Sequence, residues 1–96
     1  MKFLILWELD HPPMTPALVQ AVLRTPDYAK DLAAKGKLDK RYHVVGRHGG
    51  AWIYDVDSNE ELERLLAAAP AYNYDRYEVY PLADMESPAQ VFQPTP

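Results

Sequence analysis

Apolar and polar positions along the chain switch between a period near two and a period near four, and the switches mark the elements. Residues 2–9, Lys-Phe-Leu-Ile-Leu-Trp-Glu-Leu, are a dense run of strand formers. The run is too short for a helix with two solvated ends, so it predicts a buried strand. Alternation puts Phe3, Ile5, Trp7 and Leu9 on one face and Leu4, Leu6 and Glu8 on the other. His11-Pro12-Pro13 stops the run, because proline has no N–H to give to a ladder. Thr15 then reads as an N-cap and Pro16 as the first helical residue. Residues 16–35 have helical spacing, with Leu18, Val22, Tyr28 and Leu32 inward. Pro26 predicts two short helices meeting near Thr25, and Gly36 ends the second.

Residues 38–47 and 51–56 read as two strands of a hairpin, with Gly49-Gly50 as the turn or bulge signal. Asp57-Ser58-Asn59 opens the next helix. Ser58 and Glu61 have capping-box spacing, in which hydroxyl and carboxylate each satisfy a free backbone donor. Leu62, Leu65 and Leu66 face inward and Pro70 lies beyond the end. Residues 74–82 alternate as a fourth strand. From there the composition turns to Pro, Ser, Gln and Thr. The reading is one domain over 1–83 and a Pro-rich tail over 84–96, flexible or laid on a neighbouring subunit through Val91 and Phe92.

The order βαββαβ predicts an α+β, ferredoxin-like fold: a four-stranded antiparallel sheet with both helices on one face. The uncovered face then carries Leu4, Leu6 and part of the aromatic set, too apolar to stay wet. A second sheet packed against it, in a homodimer or a larger homo-oligomer, is the expected cover.

Composition narrows the function classes. With 96 residues the chain holds one small core. The absence of cysteine excludes disulfide scaffolds, Cys-ligated zinc and thiol catalysis, and suits the cytoplasm, the expected location. A net charge of −4, with the basic residues scattered, argues against nucleic acid as a partner. The longest apolar run at the N-terminus, Phe3 to Trp7, is far short of the roughly 20 residues a membrane span needs. An acid follows it and no small-residue cleavage site lies near, so it reads as a strand and not a signal peptide.

The stretch Val44-Val45-Gly46-Arg47, then Trp52-Ile53-Tyr54-Asp55-Val56-Asp57-Ser58-Asn59-Glu60-Glu61-Leu62, resembles the muconolactone isomerase family. The segment Leu65 to Pro70 and the strand Tyr74 to Leu82 also fit, and the likeness extends from Met1 to about Leu82. The resemblance implies a dimeric α+β barrel with sheets packed face to face, often assembled into larger rings. It also implies a pocket at the subunit interface and proton transfer on a small lactone without a cofactor. Three departures stand out. The family's proton-carrying glutamate on the first helix falls at Thr25. A tyrosine and an asparagine after the second strand fall at His48 and Gly50. The polar first-strand positions fall at Leu4 and Leu6. The resemblance therefore implies a remodelled, more apolar pocket with a different base.

His48, beside Gly49-Gly50, is the first candidate: an imidazole takes and gives a proton near neutrality, though an exposed turn histidine is the plain alternative. Glu8, on the face of Leu4 and Leu6, is the second, as acid or base paired with His48; a solvated strand end or an arginine pair is its plain reading. Trp52 and Tyr54 share a strand face and suit the walls of a pocket for a flat ligand, or a packed interface. Leu4 and Leu6 would line the same pocket. Arg41 suits a substrate carboxylate, and Tyr74 an enolate oxygen, against exposed-strand and packing roles. His11, His43 and His48 have no metal-ligand spacing, and no cofactor is expected. The function expected is isomerase-type proton transfer, double-bond shift, cyclisation or elimination on a small conjugated or lactone substrate. The alternative is a non-catalytic binding or assembly protein on the same barrel.

Overall fold

The computed structural model describes residues 1–10, 13–85 and 89–92. The strand β1 (Lys2–Leu9) lies at the centre of the sheet, which explains its unbroken apolar run: it has a neighbour on each side. After α1 (Pro16–Ala34) the chain forms β2 (Leu38–His43) and β3 (Gly49–Asp55), then α2 (Asn59–Ala67) and β4 (Asp75–Leu82). The four strands are antiparallel to their neighbours in the order β2-β3-β1-β4. This is the ferredoxin-like α+β arrangement that the element order predicts. A four-residue helical turn, α3 (Ala89–Phe92), belongs to the Pro-rich tail. Residues 86–88 and 93–96 of that tail, the side chain of Val91, and the stop signal at His11-Pro12 lie outside the described residues.

The core sits between the sheet and the two helices. Phe3 and Ile5 of β1, Trp52 and Tyr54 of β3, and Ala29, Leu32, Leu62 and Leu66 of the helices form it. Leu18, also buried, and Leu32 face inward as their spacing predicts; Ala21 and Ala29 complete the buried stripe of α1. Tyr28 is half-buried, and its hydroxyl donates to the Leu65 carbonyl. Val22, expected to face inward, is 40% exposed and is not part of the core.

Three expectations are corrected. Pro26 does not split α1, which runs unbroken for 19 residues. Proline at 26 cannot donate to the Val22 carbonyl, so one bond of the ladder is missing. The Thr25 hydroxyl, donating to the Ala21 carbonyl at 2.9 Å, adds a bond beside the gap. Second, β2 ends at His43 and not at 47, because Gly46 turns the chain with φ 82° and Arg47 N–H closes the turn on the Val44 carbonyl. Third, Gly49 and Gly50 belong to β3. Their lack of a side chain serves close approach: a Cβ on Gly49 would overlap the Trp7 carbonyl oxygen, and one on Gly50 would lie 2.7 Å from the Trp7 indole nitrogen.

The start of α2 follows the capping signal. The Ser58 hydroxyl accepts from Glu61 N–H at 3.1 Å, while the Glu61 carboxylate reaches one residue further back, to Asp57 N–H at 2.9 Å. Before β4, Tyr72–Tyr74 make one 3-10 turn, so Tyr74 sits outside the strand.

Candidate active site

A cavity of about 510 Å³ opens on the helix side of the sheet, between α1 and the hairpin end of the strands. The strand register explains its lining. Trp7 opposes Gly50 and Tyr77, Arg41 opposes Trp52, and Leu9 opposes Asp75, all on the face that α1 covers. The two indoles meet edge to face at 6.1 Å and form the floor. The α1 wall is Val22, Thr25 and Pro26, the stretch where the helix lacks a rung. Arg41, His43 and His48 stand exposed at the mouth. The Arg41 guanidinium carbon lies 6.0 Å from the centre of the Trp52 ring, which sets the cation over an aromatic face at the entrance.

Asp75 is the one carboxylate on this wall among the described residues. Its Oδ2 accepts from the Tyr77 hydroxyl at 3.1 Å. Its Oδ1 is buried and receives no donor among the described residues, and the same is true of the Trp7 Nε1–H, which has no acceptor. Desolvation raises the Asp75 carboxyl from its ordinary 3.8 to about 6, with the Tyr77 hydrogen bond pulling the other way. Burial, and then the Asp75 charge, push the Tyr77 hydroxyl well above the usual phenol range, so it stays a donor. Burial is also the main cause of the upward shift at Tyr54, with smaller contributions from Tyr28 and Asp75. Trp7, Thr25, Trp52 and Asp75 also border a small inner chamber of about 20 Å³, which Tyr54 and Tyr77 help to close. That is room for about one water molecule.

The candidates read from the sequence divide between the two faces of the sheet. His48, Arg41 and Trp52 come together at the cavity. Tyr54 is buried beneath it, stacked on Trp52 at 6.2 Å, and meets only the inner chamber. Glu8 does not join His48: its alternation with Trp7 turns it to the uncovered face, where it pairs with Arg47 at 3.4 Å. Leu4 and Leu6 lie on that uncovered face too, half-buried, opposite Ile53 and Ala51. Tyr74 lines neither chamber, and its carbonyl accepts from Asp10 N–H. The cavity of the single chain thus lies on the face opposite Leu4, Leu6 and Glu8, where α1 stands away from the hairpin end of the sheet.

Asp75 and Trp7 were not singled out by the sequence reading. Their signal was parity: Asp75 alternates with Tyr77, and Trp7 with Ile5, so both follow the core face to its open end. Among the described residues, no three His, Asp or Glu side chains come together to hold a metal ion. No helix among them is long and apolar enough to cross a membrane.

The family model described as muconolactone delta-isomerase matches residues 1–87 of this sequence.

The chain belongs to the muconolactone isomerase family.

A muconolactone delta-isomerase from Cupriavidus pinatubonensis is 33% identical over 85 residues, which cover 86% of this chain and 92% of that protein. The crystal structure of a muconolactone isomerase superposes with a TM-score of 0.82 at 25% identity, covering 91% of this chain and 93% of the other. The fold is also shared with the 5-chloro-2-hydroxyhydroquinone dehydrochlorinase of Burkholderia phenoliruptrix in complex with 2,5-dihydroxybenzoquinone. That match has a TM-score of 0.69 at 17% identity and covers 90% of this chain and 97% of that one. As a member of the muconolactone isomerase family, the protein is an enzyme of the isomerase type, and the reading as a non-catalytic binding protein is set aside.

Proposed function

We propose that this protein moves a proton, and with it a carbon–carbon double bond, on a small conjugated lactone bearing a carboxylate, without a cofactor. One observation carries the reading. Thr25 and His48 line the same cavity, and they are the positions where the resemblance puts the family's helix glutamate and its tyrosine. The space is of a size to enclose a small ring. Its apolar floor of Trp7 and Trp52 suits a flat face, and the cations at its mouth suit an anionic end. In this reading Arg41 holds the substrate carboxylate and His48 donates to the lactone carbonyl oxygen as negative charge develops there. The uncovered sheet face, with Leu4, Leu6 and Ile53 half-buried and Tyr80 exposed, packs against a second copy.

The test is a spectroscopic turnover assay on muconolactone in the presence of a chelator, with His48→Ala and Glu8→Gln alongside. Turnover is expected in the unaltered protein and in Glu8→Gln, with kcat/KM lower by about tenfold or more in His48→Ala. An unaltered protein that neither turns over muconolactone nor exchanges its acidic hydrogen with deuterated solvent would overturn the assignment.

A further inference from the structure

We propose that Asp75 is the carboxylate that takes up and returns the substrate proton in this chain, doing from the sheet what the family's glutamate does from the helix position now held by Thr25. The inference rests on the proton-transfer reading above and adds the residue that reading lacks.

The cavity itself narrows the choice. Thr25 cannot serve as the base, since its hydroxyl is neutral and donates to the Ala21 carbonyl. Glu8 lies on the opposite face of the sheet. Asp75 remains as the one anionic group on the wall among the described residues, and it borders both chambers that Thr25 borders. The carboxylate replacing the missing one therefore enters the same space from the other side.

The surroundings of Asp75 suit the task. Tyr77 fixes one oxygen by donating to Oδ2, which sets the plane of the carboxylate. Oδ1 is buried and has no donor among the described residues, so its lone pairs are held by no protein partner. The neighbouring cation, Arg76, points to Asp10 at 3.7 Å, and no ion pair among the described residues neutralises Asp75. A structural aspartate would use such a pair; a base is weakened by one. Half-burial supports the same role by bringing the group to about 6, where it is mostly ionised at neutral pH yet still basic. The titratable and charged groups that line its two chambers are Tyr77 on its own strand, Tyr54 on β3, Arg41, Tyr42 and His43 on β2, and Arg47 and His48 on the hairpin loop. From α1 the cavity receives Val22, Thr25 and Pro26, none of which titrates.

The step balances without a redox partner. The C–H bond beside the conjugated system breaks and an O–H bond forms on Asp75. The electron pair passes through the double bond to the lactone carbonyl oxygen. The O–H bond then breaks, a C–H bond forms at the far end of the delocalised system, and the double bond has moved with the carboxylate regenerated.

The experiment compares the unaltered protein with Asp75→Asn and Asp75→Glu across pH 4.5 to 9 on muconolactone, with the Asp75 carboxyl of the unaltered protein titrated directly by carbon-13 NMR. For Asp75→Asn, the expected result is a loss of about 10²–10⁴ in kcat with little change in KM, and disappearance of the acid limb that inflects near pH 6. Partial recovery is expected in Asp75→Glu, and the NMR titration should inflect near the same pH. A folded Asp75→Asn variant that keeps its kcat and acid limb overturns the role of Asp75 while leaving the proton-transfer reading standing. So does an Asp75 carboxyl that titrates in the ordinary aspartate range, a result that does not depend on the variant folding. Absence of turnover and of solvent exchange in the unaltered protein removes the reading itself, and the role of Asp75 with it.

Discussion

Replacing Asp75 by asparagine should make the protein more stable at neutral and alkaline pH. Burial raises the carboxyl from 3.8 to about 6, so the folded state holds the proton more tightly than the unfolded chain does. The sign follows directly. The folded state takes up the proton between the two values, so the stability this group contributes is fully present below about pH 4. It is lost as pH rises through 6. A displacement of two units is worth about 3 kcal/mol at face value. Asp75 is only half-buried and solvent screens the rest, so about 1–1.5 kcal/mol is the figure to expect. Asparagine keeps the shape and can still accept from the Tyr77 hydroxyl. Urea unfolding followed by far-ultraviolet circular dichroism at pH 3.5, 6 and 8 measures the difference. Asp75→Asn should exceed the unaltered protein by that amount at pH 8 and match it at pH 3.5. A constant difference across the range, or none, would show that the carboxylate is not desolvated. A gain in stability paired with a loss of turnover is the usual signature of a group kept for chemistry.

Two further substitutions probe the walls of the site. Gly49→Ala should cost about 2–3 kcal/mol by thermal or urea unfolding, since the added Cβ meets the Trp7 backbone and not a side chain that can swing away; a cost under half a kcal/mol would contradict the close packing of β1 on β3. Thr25→Glu placed in the Asp75→Asn background should recover about tenfold or more of the lost kcat, because it returns a carboxylate to the same cavity from the helix side. No recovery in a folded double variant would mean that the two positions do not address the same reacting carbon.

The fold was legible because its signals are local. The unbroken run at Lys2–Leu9 announces a central strand, Thr15-Pro16 and Ser58 with Glu61 announce helix starts, and both caps form. Where the reading failed, the deciding contact was remote in sequence. Gly49-Gly50 has the composition of a turn, yet its role is set by Trp7, some 40 residues earlier, pressing on it from the next strand. Pro26 has the mark of a helix break, yet the packing of Ala21, Ala29 and Leu32 on either side carries the helix through. The site divides in the same way. Residue type together with the family resemblance drew attention to His48, residue type to Arg41, and a shared strand face to Trp52. Period-two alternation said which residues share a face but not which face opens, because that depends on how far α1 stands from the hairpin. Glu8, Leu4 and Leu6 lie on the uncovered face that alternation gives them, away from this cavity, and Asp75, the first residue of β4, had only its parity with Tyr77 as a signal until the register with Leu9 was known.

The missing rung at Pro26 gives the two sides of the cavity unequal stiffness. The floor belongs to strands laced to partners on both edges, and a ligand pressing on Trp7 or Trp52 works against two ladders at once. The opposite wall belongs to the one stretch of α1 where a carbonyl lacks its usual donor. A ring with one substituent more than the cavity was shaped for will be accommodated there, by flexing of the helix and not by spreading of the sheet. In the proposed reaction, tolerance toward bulkier substrates is thus expected to be set at the Val22–Pro26 segment, which can be altered without touching Asp75 or His48.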